Sequence, residues 1–295
     1  LAHSYGALII VDGAQMVSHL PVKISGHENP DRNLDAFVFS GHKTYVPGSP
    51  GAVVCRKDIL KSIEPEEVGG GMVDRVFVDR YEVTNKFPDR EEAGTQNISG
   101  AIGLAAVLEI LDKLGMDNVH NEETELINYA LIELKKISEI HIYGETDTTV
   151  CPRAGSISFN ITGMDHGLTA AILNDYFNIA VRNECFCAHP YVKEMIIDDL
   201  LDFTEELEDE NFEEEVFLKS GMVRASVGLY NTREDIVGLI SALKEIISNR
   251  DELCSHYKAD SIGNYFHSSF HSDNVNRFST VSFIQSYWDA HSNSD

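Results

Sequence analysis

Continuous apolar runs alternate with helical patterns in the first part of the chain. The apolar runs lie at residues 7–11, 36–39 and 51–55. Such runs are typical of strands buried on both faces of a sheet that helices cover. A period of 3.6 residues then predicts a helix over about 99–114, ended by Gly115, and another over about 118–137. The alternation predicts an α/β fold with a mostly parallel sheet.

A different pattern begins after residue 150. Residues 156–161, SISFNI, alternate polar and apolar side chains with the period of a half-buried strand. We expect a helix at about 166–176, a short strand at 179–182 and another strand within VRASVGLY. A last helix is predicted to begin after Thr232, with Asp235 three residues later approximating a capping box. These elements predict a second, smaller α/β domain.

The pattern divides the chain into three parts. Residues 1–115 are predicted to be the C-terminal part of a large domain, and residues 116–250 a small C-terminal α/β domain. Residues 251–295, rich in Ser, His and Asn, are predicted to be a poorly ordered tail. A dense acidic block over about 194–215 is predicted to be a solvated helix or loop. The chain opens as if on the last turn of a helix, so we expect it to be N-terminally incomplete.

Charge and cysteine usage narrow the classes of function. The 295 residues hold 48 acidic side chains against 23 Lys and Arg, a net charge of −25. Such a surface repels phosphate backbones and anionic lipids, so neither nucleic acid nor membrane is the expected partner. Five scattered cysteines suit a reducing cytoplasm better than a disulfide framework.

Polar side chains follow two of the predicted strands directly. The first strand runs into VDGAQ, which brings Asp12 and Gln15, and the second runs into FSGHK, which brings Ser40, His42 and Lys43. Ligands of open α/β sheets bind outside the carboxyl ends of the strands. A surface turn or a structural Asp–Lys ion pair is the simpler interpretation. Pyridoxal phosphate uses the whole set: a lysine for its Schiff base, an aspartate for its ring nitrogen and donors for its phosphate.

Five motifs in order carry a family resemblance. VDGAQ, FSGHKTYVPGSPGAV, REEAGTQN, VRNECFCAHP and VRASVGLYNT resemble the class V aminotransferase family, and within it the Suf-type cysteine desulfurases and selenocysteine lyases. The resemblance covers about residues 1–250. It implies the type I fold of pyridoxal-phosphate enzymes, in which a homodimer builds two active sites. It also implies that Thr95, in AGT, reaches the cofactor phosphate across the dimer interface.

The resemblance gives the residues at the strand ends their expected roles. Lys43 would bind pyridoxal 5′-phosphate covalently and then move the substrate's α-proton. Asp12 would pair with the pyridinium nitrogen, and Gln15 would donate a hydrogen bond to the ring's phenolic oxygen. Ser40 and His42 would hold the phosphate.

Substrate and sulfur are expected on the later motifs. Arg224 would clamp the substrate carboxylate, which suits a planar guanidinium, although a surface arginine beside a strand is the alternative. Cys187, immediately before A-x-P, would attack the substrate sulfur, leaving a persulfide on the protein and releasing alanine. Arg182 is the second residue expected to bind the substrate. It could also lower the pKa of the Cys187 thiol, whereas Glu184 would raise it. Cys185 is the neighbouring candidate.

Other interpretations remain open at this point. The pair of cysteines in CFC could bind a metal, but two ligands and His189 do not complete a zinc set. The predicted activity is release of sulfur or selenium from cysteine or selenocysteine, with a possible acceptor protein for the sulfur. The enzymatic alternative is transamination, and the other alternative is a truncated, non-catalytic relative that acts as a scaffold.

Overall fold

The computed structural model describes residues 1–196 and 220–269, together with Val281 and Gln285. The chain folds into two compact units. Unit 1 holds residues 1–133, 145–157 and 226–237, and the rest of the described chain belongs to unit 2. The acidic block predicted over about 194–215 lies almost entirely outside the described residues.

Unit 1 is built on a three-stranded sheet with the order β1–β2–β3. The strands of unit 1 are β1 (Ile10–Asp12), β2 (Ala36–Ser40), β3 (Gly51–Cys55), β4 (Val73–Val76) and β5 (Tyr81–Val83); β4 and β5 form a separate two-stranded sheet. The helices are α1 (Lys57–Lys61), α2 (Ile98–Leu114) and α3 (Met116–Leu134). β1 and β2 are parallel, whereas β2 and β3 are antiparallel. The described part of the predicted mostly parallel sheet is therefore mixed, because the connection from β2 to β3 is too short for a crossover.

One hydrophobic core cluster of unit 1 joins β2 to α2. Phe37, Phe39 and Leu104 form a buried cluster, against which Val11 and Val17 pack. The predicted helix over 99–114 is confirmed as α2, and Asn97 caps its first turn by accepting a hydrogen bond from the Gly100 N–H at 3.0 Å. This packing holds β2 in place and therefore fixes where the turn after Ser40 begins.

A buried carboxylate anchors the start of β2. Asp35 is 2% exposed, and its two oxygens accept hydrogen bonds from the Ile9 N–H (2.7 Å), the His3 ring (2.8 Å) and the Arg56 guanidinium (2.7 Å). These donors, the Ile9 N–H first, lower the pKa of Asp35 to about 2. The network ties the chain before β1 and the residue after β3 to β2.

Unit 2 contains the second three-stranded sheet, with the order β6–β7–β8. The elements of this part of the chain are β6 (Ile140–Tyr143), β7 (Ser156–Ile161), α4 (His166–Phe177), α5 (His189–Met195), β8 (Val223–Ser226), α6 (Arg233–Ser248), α7 (Arg250–Ser255), β9 (Tyr257–Ala259) and β10 (Tyr265–His267), of which β7, β8 and α6 have residues in both units. The predicted alternation of β7 is confirmed, since Ile157, Phe159 and Ile161 are buried.

Two predicted elements of the second part have opposite outcomes. The expected strand at 179–182 is wrong: within it only Arg182 makes a bridge, to Arg224, whereas the Ile179 N–H donates to the Leu173 carbonyl of α4 at 3.0 Å. The predicted start of the last helix is confirmed as α6. There the Asp235 carboxylate accepts a hydrogen bond from the Thr232 N–H at 2.9 Å, as the acidic residue of a capping box does.

The ends of the predicted domains differ from the observed units. α3 belongs to unit 1, where the Glu123 carboxylate meets the His19 ring at 2.8 Å, whereas the predicted boundary at residue 115 placed it in the second domain. The prediction of a poorly ordered tail is wrong for residues 251–269. They form α7 and an antiparallel β9–β10 hairpin, with Leu253 and Tyr257 buried. Among the described residues, no helix combines the length and hydropathy needed to cross a membrane.

Candidate active site

The polar residues after β1 and β2 emerge at one edge of the unit 1 sheet. Asp12 ends β1 opposite Val38 of β2, and the Gly13 N–H donates to the Val38 carbonyl at 2.7 Å. Because the two strands are parallel, their carboxyl ends point the same way. Asp12 is exposed, and its carboxylate accepts a hydrogen bond from the Ala14 N–H at 2.9 Å.

Lys43 lies on a tight turn at the end of β2. Residues 40–45, which we call the Lys43 turn, begin with a 3₁₀ segment, Gly41–Lys43, closed by a hydrogen bond from the Thr44 N–H to the Gly41 carbonyl at 2.8 Å. A Cβ on Gly41 would lie 2.3 Å from the Pro50 carbonyl oxygen, so only glycine fits there. Ser40 is half-buried, whereas His42 and Lys43 are exposed. The turn thus carries a hydroxyl, an imidazole and an ammonium within four consecutive residues.

A buried hydrogen bond joins the two polar turns. The Ser18 hydroxyl, on a side chain 1% exposed, donates to the Lys43 carbonyl at 3.2 Å. Ser18 lies in the turn that carries Gln15, which is exposed. The His19–Glu123 pair anchors the same turn to α3. The backbone of Lys43 is thereby fixed relative to Asp12 and Gln15.

Thr95 lies on an exposed loop of unit 1 just before α2. Two residues later, the Asn97 side chain donates a hydrogen bond to the Gly48 carbonyl at 2.7 Å. That bond attaches the Thr95 loop to the segment that follows the Lys43 turn. The role of Thr95 across a dimer interface stays a prediction.

The remaining predicted residues come together in unit 2. The backbones of Arg182 and Arg224 exchange hydrogen bonds of 3.0 and 2.6 Å. Residues 182–187 form a loop that we call the cysteine loop, and within it Glu184, Phe186 and Cys187 all adopt positive φ angles (76°, 52° and 64°). Non-glycine residues in this region carry backbone strain, and strained residues concentrate at functional sites.

The two neighbouring cysteines occupy opposite environments. Cys185 is 4% exposed, and its thiol donates to the Ser220 carbonyl at 3.1 Å. Burial raises the pKa of the Cys185 thiol; the Lys193 charge opposes this shift and the Glu184 charge adds to it. Cys187 is exposed. The structure therefore leaves Cys187 accessible and makes Cys185 a poor nucleophile.

Arg224 has an unused donor. Its guanidinium carbon lies 4.8 Å from the centre of the Phe186 ring, and its Nε is a buried nitrogen with no hydrogen-bond partner in the described part of the chain. Burial lowers the pKa of Arg224, Arg182 lowers it further, and Cys187 opposes both effects. A buried N–H without a partner is costly unless a ligand satisfies it, and a carboxylate is the ligand that a guanidinium fork matches.

Three residues with structural roles at these sites carry no motif that singles them out. The Ser18 hydroxyl donates to the Lys43 carbonyl, Tyr45 of the Lys43 turn accepts a hydrogen bond from the Leu229 N–H, and Phe186 packs on Arg224. Tyr45 and Phe186 stand inside FSGHKTYVPG and VRNECFCAHP, so those motifs include them without indicating what they touch. Their contacts connect residues far apart in the chain.

Known proteins resemble this chain in sequence and in fold. The family profile described as Aminotransferase class-V matches residues 1–239. A cysteine desulfurase of Escherichia coli O127:H6 is 34% identical over 246 residues, 83% of this chain and 52% of that protein. Among solved structures, the apo cysteine desulfurase of Thermococcus onnurineus NA1 has a TM-score of 0.68 at 30% identity, covering 84% of this chain and 54% of the other. The Escherichia coli cysteine desulfurase CsdA (S-sulfonic acid) has a TM-score of 0.66 at 27% identity, with coverage of 84% and 53%.

These matches confirm the predicted type I fold of pyridoxal-phosphate enzymes. The chain spans about half the length of the curated relatives it matches. The family match covers both the Lys43 turn and the cysteine loop. The chain belongs to the class V aminotransferase family.

Proposed function

We propose that the protein containing this chain is a pyridoxal-phosphate-dependent cysteine desulfurase. One observation carries the choice of reaction: Cys187 is exposed close to Arg224, whose Nε has no hydrogen-bond partner in the part of the chain that the structure describes, while Cys185 is buried and hydrogen-bonded. A carboxylate held by Arg224 would bring an amino-acid side chain toward an accessible thiol. A transaminase needs no such thiol.

The residues of unit 1 fit pyridoxal phosphate. A carboxylate, Asp12, and an ammonium, Lys43, are exposed at the carboxyl ends of adjacent parallel strands, with Ser40 and His42 between them in sequence. Asp12 would hold the pyridine nitrogen, Gln15 the phenolic oxygen, and Ser40 and His42 the phosphate. When bound, this cofactor withdraws electrons from the substrate carbons.

The chain's own residues would carry the rest of the reaction. Arg224 binds the substrate carboxylate through its guanidinium fork. The Lys43 amine takes the α-proton and returns a proton to the substrate carbon. The Cys187 thiolate forms an S–S bond to the substrate sulfur as the substrate C–S bond breaks, and the electron pair of that bond remains on carbon. Protonation of this carbon gives alanine, and the protein keeps a persulfide.

Several finer points belong to the same proposal. The substrate is cysteine or selenocysteine, since sulfur and selenium undergo the same displacement. The active species is a homodimer in which Thr95 contacts the partner's cofactor phosphate, and an acceptor protein takes the sulfur from Cys187. All five cysteines are free thiols, which supports a reducing compartment such as the cytoplasm. Arg182, whose backbone pairs with that of Arg224, adds a second positive charge that favours the Cys187 thiolate.

The test is direct. The full-length protein containing this chain is supplied with pyridoxal phosphate and L-cysteine, and both alanine and protein-bound persulfide are measured. We expect alanine to form and the persulfide to map to Cys187. Transfer of the substrate's amino group to a keto acid, without formation of alanine, would favour the aminotransferase alternative. A protein that neither binds the cofactor nor turns over cysteine would favour the scaffold alternative.

A further inference from the structure

Tyr45 holds an unfavourable backbone conformation two residues after Lys43. Its φ is 59°, in the left-handed region that residues with a side chain rarely occupy. The preceding residue, Thr44, is fully buried, and its hydroxyl donates to the Ser40 carbonyl at 3.2 Å. The chain therefore reverses sharply just beyond Lys43, and some contact must stabilise that reversal.

The side chain of Tyr45 supplies this contact. Its hydroxyl oxygen accepts a hydrogen bond from the Leu229 N–H at 3.2 Å, and its ring meets the Tyr230 ring edge-on, with centroids 6.1 Å apart. A Cβ on Gly228 would lie 3.2 Å from the Tyr45 hydroxyl, so the glycine permits this close approach. Residues 228–230 form a socket for Tyr45 within unit 1.

Ser18 contacts the same turn at Lys43 itself. Its buried hydroxyl donates to the Lys43 carbonyl. The backbone of Lys43 thus has a hydrogen bond on its own carbonyl and a fixed residue two positions later. The side chain of Lys43 is exposed, so its direction depends on this backbone.

We propose that Tyr45 and Ser18 are positioning residues for Lys43: they fix the backbone of the Lys43 turn so that the amine points to where the cofactor binds. This inference rests on the proposed function for its chemical consequence. Neither residue touches the reacting atoms in the proposal. Tyr45 acts through the socket at residues 228–230, and Ser18 acts through the Lys43 carbonyl.

Amide hydrogen exchange of the full-length protein tests the mechanical part. In Tyr45→Gly the positive φ costs nothing, yet the socket contact is lost; Tyr45→Phe keeps the ring and should restore much of the protection. We expect the amides of residues 41–46 to exchange about tenfold faster in Tyr45→Gly and in Ser18→Ala. The matched control is Tyr230→Phe, which removes an exposed neighbouring hydroxyl. Wild-type exchange rates in both variants would overturn the inference.

Cofactor spectroscopy tests the chemical part. After addition of pyridoxal phosphate, the pH dependence of the visible absorption should shift in Tyr45→Gly and Ser18→Ala, and borohydride should fix less cofactor on Lys43. Tyr45→Phe should lie nearer the wild type, and Tyr230→Phe should match it. An unshifted profile in loosened variants would also overturn the inference. A wild-type protein that takes up no cofactor would instead overturn the proposed function, while hydrogen exchange still decides whether Tyr45 and Ser18 hold the turn.

Discussion

The Lys43 turn and the cysteine loop hold their functional side chains in different ways. The Lys43 turn continues a strand, encloses a fully buried Thr44 and is hydrogen-bonded through Gly41, Thr44 and Lys43. The cysteine loop follows no strand and has three left-handed non-glycine residues among its last four. This difference suits the proposed function, in which a charged cofactor would need the fixed donors of a sheet edge and a sulfur-delivering nucleophile would need an exposed loop.

Within the cysteine loop, burial separates two residues that the sequence places side by side. Cys185 points into the core cluster with Tyr143, Val192, Ile196 and Met222, while Cys187 is exposed. In the Lys43 turn, burial likewise separates neighbouring residues: Gly41 and Thr44 are buried, and His42 and Lys43 between them are exposed. In both regions the buried residues anchor the backbone, and the exposed ones are accessible to a ligand.

Removing the amine of the Lys43 turn should give the largest effect. Lys43→Ala is expected to abolish borohydride-stable attachment of pyridoxal phosphate and to lower desulfurase activity at least about a thousandfold. Visible absorption and peptide mapping of the full-length protein provide the measurement. The control is Lys57→Ala, which removes an exposed lysine at the start of α1. Attachment to Lys57 or Lys23 in the wild type would contradict the assignment.

The cysteine loop is tested by comparing its two thiols. Cys187→Ala should lose persulfide formation and about a hundredfold or more of cysteine turnover, while binding the cofactor normally. Cys185→Ala should keep most activity and lose about 1 kcal/mol of unfolding free energy, because a buried thiol and its hydrogen bond are removed. Persulfide labelling and thermal unfolding measure the two effects. Normal cysteine turnover by Cys187→Ala would favour transamination instead.

A smaller, partial effect is expected when two inactive proteins are mixed. If Thr95 serves the partner's site, Lys43→Ala and Thr95→Ala subunits together form one intact site in each hybrid dimer. Random exchange at equal amounts should then restore about a quarter of wild-type activity. The measurement is turnover after subunit exchange proven by mass spectrometry. Exchange without recovery would place the role of Thr95 within its own subunit.

The Asp35 anchor at the start of β2 predicts the smallest effect, on stability alone. Folding lowers the pKa of Asp35 from about 4 to about 2. Its contribution to the free energy of unfolding is therefore fully present above the unfolded pKa and is lost as the pH falls toward 2. Asp35→Asn should destabilise the protein by about 2 kcal/mol at pH 7 and flatten the acid limb between pH 4 and 2. Urea unfolding across this pH range measures both; an unchanged acid limb would show that Asp35 contributes little.

Much of the fold and of the candidate site was predictable. The apolar runs identified β2 and β3, and the 3.6-residue period identified α2 and α6. The β9–β10 hairpin was not predictable, because its stability depends on contacts such as the Tyr257 hydroxyl donating to Asp175 at 2.9 Å. The predicted strand at 179–182 failed for a similar reason: of its four residues only Arg182 forms a bridge, and its partner Arg224 is distant in the chain.

By itself, the sequence determined that Asp12 and Lys43 follow apolar strands and that an ordered set of motifs carries the family resemblance. Local apolar patterning suffices for this, since the position of a strand and the polar residues at its end are encoded in adjacent residues. Only the tertiary structure decided that Cys185 is buried, that an Arg224 nitrogen has no partner among the described residues, and that Tyr45 occupies a socket at residues 228–230. Burial and hydrogen bonding at these positions depend on partners 35 to 184 residues away, which no local period of side chains specifies.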